Sequence, residues 1–323
     1  MRAVLRDEYG PVDILRVTTV EDPVPGPGEV VVRVAAASLN MADLDHLLGV
    51  PRLARLGTGL TRPTNRRVGV DVAGTVEEVG PDVTSLRQGD RVWADLFDLG
   101  HGALADRVRV PASALSPLPD ALSFDVAATV PHSGTLALQS LRAVGPIRPG
   151  ERVLINGAGG CVGPFAVQMA KARGAVVTAV DHGDKLDFLR ELGADEVIDY
   201  TREDFVRGDR RFDVVLDIAD TRSLAALRRS LAPGGRYVLI ARRISSFAEK
   251  ALLGPVVGRL TGTRMSTFFW RPNQRADLDE LARLLVAGDV VPRIDRRYGL
   301  DDAVEAFRHL ESGAARGKIL VVP

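Results

Sequence analysis

The sequence predicts an α/β protein in which a β-rich, barrel-like first part precedes a doubly wound parallel sheet. Three observations predict it. Up to about residue 122, short apolar runs are separated by Pro- and Gly-rich turns. From Ser123 onward, strand-like and helix-like patterns alternate. Within that second part, residues 153–181 read in order as strand, glycine turn, helix and strand.

Taking the chain in order, residues 3–5, 15–17, 29–35, 71–79, 91–93 and 105–110 read as strands. The turns between them include DPVPGPGE at 22–29, GPD at 80–82 and QGD at 88–90. Residues 40–48 are the one clear helical piece, and the Arg-rich stretch 52–67 reads as a loop or irregular lid. Ser123 is a plausible N-cap for a helix over 124–130, and 135–144 is helical as well. Strands then follow at 153–155, 176–180, 196–198, 212–218 and 237–241, with helices at 161–173, 185–192 and 222–231 between them. Residues 244–270 are apolar without a clear period and read as a helical insertion. Residues 277–287 and 300–311 are helical, and 318–322 form a closing strand.

The stretch 153–181 carries the first chemical information. Val153-Leu154-Ile155 is a strand buried on both faces, as parallel strands are. Gly157, Gly160 and Gly163 follow at intervals of three, and the helical spacing of Val162, Phe165, Ala166, Met169 and Ala170 begins near Cys161. A second strand ends on Asp181. This is the layout of a dinucleotide-binding unit. The glycines permit a tight turn and close approach of backbone to a pyrophosphate, and the helix N-terminus offers it unpaired N–H groups. Asn156, Gly157, Gly160, Cys161, Val162 and Gly163 are the candidate cofactor contacts on this turn. The alternative is a structural unit of the same shape that binds nothing.

Composition narrows the rest. The 323 residues are 46% hydrophobic and 26% charged, enough to bury two cores. Basic and acidic residues balance at 42 each, so bulk electrostatics favour neither nucleic acid nor an anionic membrane. Cys161 is the only cysteine, which excludes an internal disulfide and a Cys-based structural zinc site. No signal segment and no apolar run of about 18 residues is visible, so a cytoplasmic protein is expected.

The sequence resembles the medium-chain dehydrogenase/reductase superfamily, in its zinc-independent quinone oxidoreductase and enoyl reductase branch. The resemblance runs over nearly the whole chain. It is carried by YGPVDILRV (9–17), PGPGEVVVRVAAASLNMADLD (25–45), VGVDVAGTVEEVG (68–80), GDRVWADL (89–96), AATVPHSGTLALQSL (127–141), the glycine stretch, LGADEVIDY (192–200), LAPGGRYVLI (231–240) and RGKILVV (316–322). It implies a GroES-like domain over residues 1–122, a Rossmann domain over 123–269 and a return to the first domain over 270–323. It implies an active-site cleft between them. It also implies a homodimer, joined through an edge strand that would here be 236–241.

The same resemblance assigns roles. The zinc members of the superfamily have a Cys where this chain has Asn40, and a Gly-His-Glu where it has Gly69-Val70-Asp71, so no catalytic zinc is expected. Asn40 and Asp43 match an Asn-x-x-Asp of the quinone oxidoreductases, and Asn40 would line the cleft. On local grounds alone, Asn40 would cap the helix and Asp43 would favour its first turn. His132, at a helix entry, is a candidate proton donor for alkene reduction, as is His46, with solvent the alternative proton source. Thr135 is shifted by one position from the Thr that relatives place near the cofactor.

For cofactor choice, Asp181 favours NADH by hydrogen bonding ribose hydroxyls and repelling a 2′-phosphate. Lys185 and Tyr200 match positions that grip the 2′-phosphate of NADPH. Family grounds tip the expectation to NADPH, with NADH open. Cys161 at a helix N-terminus is expected to have a lowered thiol pKa. The expected activity is NAD(P)H-dependent, zinc-independent reduction of a quinone or an α,β-unsaturated carbonyl. Carbonyl or alcohol oxidoreduction, and nucleotide binding without turnover, are the alternatives.

Overall fold

A computed structural model describes residues 1–240, 244–267 and 269–323. The chain forms two compact units. The first holds Met1–Thr135, Arg271–Val286 and Pro292–Pro323, and the second holds Leu136–Trp270 and Ala287–Val291.

In the first unit, β1 (Arg2–Leu5) and β2 (Arg16–Thr19) form an antiparallel pair. β3 (Glu29–Leu39) lies antiparallel to β4 (Asp71–Val79), and β4 to β5 (Arg91–Asp95). β6 (Arg107–Pro111) also pairs with β3, and β7 (Ser116–Pro117) with β5. β3 runs four residues beyond the expected 29–35, because Ala36 to Leu39 stay paired with β4 or with the closing strand. Helix α1 (Met41–Leu48) follows at once. It starts from Asn40 in an extended conformation and ends on Gly49 at φ 64°. That left-handed position stops a helix at little cost only with glycine or asparagine. Residues 52–67 are less irregular than the sequence suggests: Arg52–Ala54 is a 3₁₀ turn and α2 (Arg55–Thr58) a short helix. α3 (Phe124–Ala128) is capped as expected, with the Val126 N–H donating to Ser123 Oγ at 3.2 Å. α4 (Pro131–Ala143) begins four residues earlier than expected.

The second unit holds β8 (Arg152–Asn156), α5 (Gly163–Ala172), β9 (Val176–Asp181), α6 (Leu186–Glu191), β10 (Glu196–Asp199), β11 (Phe212–Asp217), α7 (Leu224–Ser230), β12 (Leu231–Leu239), α8 (Ile244–Thr261) and β13 (Arg264–Thr267). Its sheet runs β10-β9-β8-β11-β12-β13, and every pairing is parallel. Val153, Leu154 and Ile155 have no exposed surface, as their unbroken apolar run requires. Leu154, Val180, Phe212, Val215, Leu227 and Tyr237 share one core.

Two expectations are corrected here. The apolar stretch 244–270 is not wholly helical, since Arg264–Thr267 is a strand. That strand pairs with β12 (Arg236 with Arg264, Leu239 with Thr267), so 236–241 is not the sheet edge through which a partner would dock. Ala241, the last residue of that expected edge, lies outside the described residues.

The chain then returns to the first unit through α9 (Arg275–Ala287), β14 (Ile294–Gly299), α10 (Ala303–Glu311) and β15 (Lys318–Val322). β15 inserts between β14 and β3, giving a seven-stranded sheet in the order β14-β15-β3-β4-β5-β7 with β6 on β3.

Candidate active site

Strand register builds a buried polar centre in the first unit. Asp71 stands directly across from Ser38 of β3 and Asp95 of β5. β15 pairs Ile319 with Leu39, which brings Lys318 level with Asn40. Two carboxylates directly opposed on neighbouring strands repel, and both are fully buried. The fold meets that repulsion with cations. Lys318 Nζ, also fully buried, donates to Asn40 Oδ1 at 2.5 Å, Asp71 Oδ2 at 3.1 Å and Ser133 Oγ at 3.2 Å, which uses all three of its N–H groups. Asp71 Oδ2 also accepts from Ser38 Oγ and Asn40 Nδ2, both at 2.9 Å. Asp71 Oδ1 accepts from the His132 backbone N–H at 2.7 Å.

Asp95 receives the His132 ring, with Nδ1 at 2.8 Å from Oδ2. Burial pushes the His132 pKa down. The adjacent Asp95 charge, its hydrogen bond and Asp71 outweigh that, and the net shift is upward. Asp95 is also raised, first by burial, so the pair holds a proton to higher pH than an exposed histidine would. Asp43 is the third carboxyl group. Burial raises it to about 7, against the N–H of Asn40, which donates to its Oδ2 at 2.8 Å. Lys318 and the His132 ring thus face Asp71 and Asp95, and the raised pKa of Asp43 favours its neutral form beside them.

The expected residues therefore divide. Asn40, Asp43 and His132 meet in one network. Asp43 supports the first turn of α1 as the local reading expects, whereas the Asn40 amide is committed to Asp71, Lys318 and Ser133. His46 stands apart. Its ring stacks on His101, with centroids 4.0 Å apart, and burial lowers its pKa to about 4. At neutral pH it lacks the imidazolium that a proton donor needs. Thr135 is fully buried with Oγ1 at 2.5 Å from the Pro131 carbonyl, turned back on its own helix. Ser133, Lys318, Asp71 and Asp95 complete the network, and the last three were absent from the sequence-derived candidates. A signal existed for three of them, each a lone charge in an apolar strand sequence: VGVDVAG, VWADL and GKILVV.

In the second unit, the glycine turn follows β8. Gly157 adopts φ 86°, and a side chain there would also press on the Ala219 backbone N at 3.1 Å. Gly163 opens α5, and a Cβ there would lie 2.2 Å from the Ala158 carbonyl oxygen. A Cβ on Gly160 would meet nothing closer than 3.9 Å among the described residues. The fold itself would accept a side chain at 160, so the glycine there leaves room for something else. That fits a dinucleotide lying on the turn. The helix starts at Gly163, with Val162 as its N-cap residue, so Cys161 is a buried thiol in the turn that precedes the helix. Asn156 faces sideways: its amide donates to Asp217 Oδ1 at 2.8 Å, and its carbonyl accepts from Ile218 N–H at 2.9 Å, tying the ends of β8 and β11 together.

Asp181 and Lys185 do not act independently. Asp181 Oδ2 accepts from the Gly159 N–H at 2.7 Å, while Lys185 Nζ lies 3.4 Å from the Gly159 carbonyl and 4.0 Å from Asp181 Oδ1. Both side chains grip the turn. A Cβ on Gly159 would lie 2.7 Å from Lys185 Cδ, so a side chain there would push the lysine away from the turn. Tyr200 is half-exposed beside this group, and its N–H donates to the Asp181 carbonyl at 3.2 Å.

Comparison with known proteins places this arrangement. The model described as "Alcohol dehydrogenase GroES-like domain" matches residues 26–120, and "Zinc-binding dehydrogenase" matches 192–321. The chain is 33% identical to the mouse protein named NAD(P)H oxidoreductase RTN4IP1, mitochondrial, covering 99% of this chain and 89% of that one. It is 31% identical to the 2-methylene-furan-3-one reductase of Solanum lycopersicum, covering 100% and 79%. Its fold matches a quinone oxidoreductase from Coxiella burnetii with a TM-score of 0.88 at 28% identity, covering 100% and 99%. Among the described residues no group of three or more His, Cys, Asp or Glu is placed to hold a metal, and the polar centre is built around a lysine ammonium. The GroES-like domain, the parallel Rossmann sheet and these relatives show that the chain belongs to the medium-chain dehydrogenase/reductase superfamily, in its quinone oxidoreductase-like branch.

Proposed function

We propose that this protein reduces the C=C of α,β-unsaturated carbonyls, or quinones, with NADPH and without a metal ion. The single observation that carries the reading is the His132–Asp95 pair beside a lysine-neutralised Asp71. It favours the imidazolium form of a buried ring, because the Asp95 charge raises the His132 pKa against the effect of burial, and an imidazolium is the group that protonation of a reduced alkene requires. Asp95 holds the proton on Nδ1, so Nε2 is the nitrogen that gives one up. Asn40 is fixed by three partners, so its amide keeps one orientation toward a substrate oxygen. The bound nicotinamide supplies a hydride. Conjugation already makes the acceptor carbon electrophilic, so no Lewis acid is needed.

NADPH is favoured over NADH because Lys185 lies against Asp181 and offsets its charge. The names of the mouse and tomato relatives support the cofactor class and the enone class. Homodimerisation is carried by the family alone; in this sheet the outer strand beyond β12 is β13. The protein is read as cytoplasmic, and among the described residues no helix is long and apolar enough to cross a membrane.

The test is a cofactor-oxidation screen over quinones, enones, enals and simple ketones, with each cofactor, before and after treatment with a chelator. Turnover of enones or quinones that survives chelation is expected. Turnover that chelation abolishes and zinc restores would contradict the metal-free reading.

A further inference from the structure

The first unit buries a further cation, one that the proposed reaction does not use. Arg6, the residue after β1, has no exposed surface. Its Nη1 donates to the His46 carbonyl. Its Nε and Nη2 have no hydrogen-bonding partner among the described residues. Those two N–H groups form one edge of the guanidinium, the parallel pair that grips both oxygens of a carboxylate or phosphate. The neighbouring carboxylate is not available, since Asp7 is committed to Arg16 and Arg66. Uncompensated burial lowers the Arg6 pKa to about 10.

Two histidines repeat the pattern. His46 and His101 stack with an interplanar angle of 13°. His46 Nε2 and His101 Nδ1 are likewise buried without a partner among the described residues. His101 is held in the left-handed region at φ 61°, a sparsely occupied conformation for a residue with a side chain, and its N–H donates to the Leu96 carbonyl at 3.0 Å. Burial first, then nearby charge, keeps both rings neutral, so each carries one N–H to offer. The group is thus rich in donors, centred on a cation and closed to solvent. Tyr9 covers one side of it, with the Arg6 guanidinium 5.1 Å from its ring centroid and its hydroxyl bound to the Thr58 and Gly59 carbonyls.

We propose that Arg6, His46 and His101 form a binding site for a small oxyanion, a carboxylate or phosphate-type group held side-on by Nε and Nη2 of Arg6. The anion has two possible sources: a free ion, or the acidic end of a substrate. Phe97 lies 5.9 Å from the His101 ring and 5.8 Å from the His132 ring, so the site adjoins the proposed proton donor. The second source rests on the reductase reading, whereas the site itself does not.

The experiment is thermal unfolding of the full chain, without cofactor, titrated with sodium formate, bicarbonate and phosphate at constant ionic strength. A saturable rise in Tm with at least one ion is expected. Arg6→Met should abolish it, Arg6→Lys should weaken binding at least tenfold, and His101→Phe, which keeps the stacked ring but removes Nδ1, should weaken it severalfold. No saturable rise with any ion, or a rise undiminished in both Arg6→Met and His101→Phe, overturns the proposal. If Arg6→Met fails to fold, His101→Phe decides alone. Competition of the bound ion with an acidic enone but not with its methyl ester identifies the substrate's acidic end as the natural occupant. Binding without competition identifies a free ion. The binding measurement needs no turnover, so its failure and a failure of the reductase reading are separate results.

Discussion

The Asp43 carboxyl group sits buried in the first turn of α1, with Oδ2 on the Asn40 N–H and Oδ1 without a partner among the described residues. Burial raises its pKa from 3.8 to about 7. The folded state therefore binds the proton more tightly than the unfolded chain does. The Asp43 contribution to stability is fully present below about pH 4 and falls as pH rises through 7, a loss on the order of 4 kcal/mol from this group. Urea unfolding at pH 4.5 and pH 8 should show this fall, and Asp43→Asn should flatten it; an equal slope in both proteins would mean that other groups carry the dependence. Lys318 makes the complementary case. Lys318→Met leaves the Asp71 carboxylate buried without its cation and should cost about 3–5 kcal/mol in urea unfolding. Adding Asp71→Asn removes the stranded charge and should recover at least half of that loss. A double variant no better than the single would show that Lys318 acts through packing alone.

At the scale of elements, the glycine turn between β8 and α5 separates two uses of one residue type. Gly163 serves the fold, because α5 passes against the Ala158 carbonyl; Gly160 has open space beside it among the described residues, as the proposed cofactor contact requires. Gly160→Ala should leave stability within about 0.5 kcal/mol and raise the NADPH Kd about tenfold or more. Gly163→Ala should destabilise by about 1–3 kcal/mol through overpacking, whether or not cofactor is present. Calorimetry and cofactor titration of both variants check the contrast. The turn was readable because its determinants are local: an apolar strand, glycines at fixed intervals, a helix period. β13 was not readable. RMST has no alternating pattern, and its place is set by pairing with β12 rather than by its own side chains. α8 before it has apolar residues on every side and contains Pro255, so neither its limits nor the strand after it showed in the periodicity.

At the scale of the whole molecule, the two halves of the proposed reaction were unequally legible. The cofactor unit is a contiguous run of sequence. The polar centre is assembled from β3, β4, β5, β15 and the start of α4, and its Lys318–Asn40 contact joins residues 278 apart. No spacing rule links such residues, and only the strand register brings them together. What the sequence carried was the oddity of single charges among apolar neighbours, which marks burial and compensation without naming the partner. The chain as a whole is neutral, and the polar centre brings opposite charges together locally: Lys318 and the His132 ring face Asp71 and Asp95, while burial raises the pKa of the third carboxyl group, Asp43, to about 7. This pairing is the basis for assigning proton donation to His132. The claim most directly open to measurement is where the hydride goes. With NADPH deuterated at the transferred position of nicotinamide C4 and an enone as acceptor, product analysis should find the deuterium on the β-carbon of a saturated ketone. Deuterium on the carbonyl carbon of an allylic alcohol would contradict the account and make the protein a carbonyl reductase.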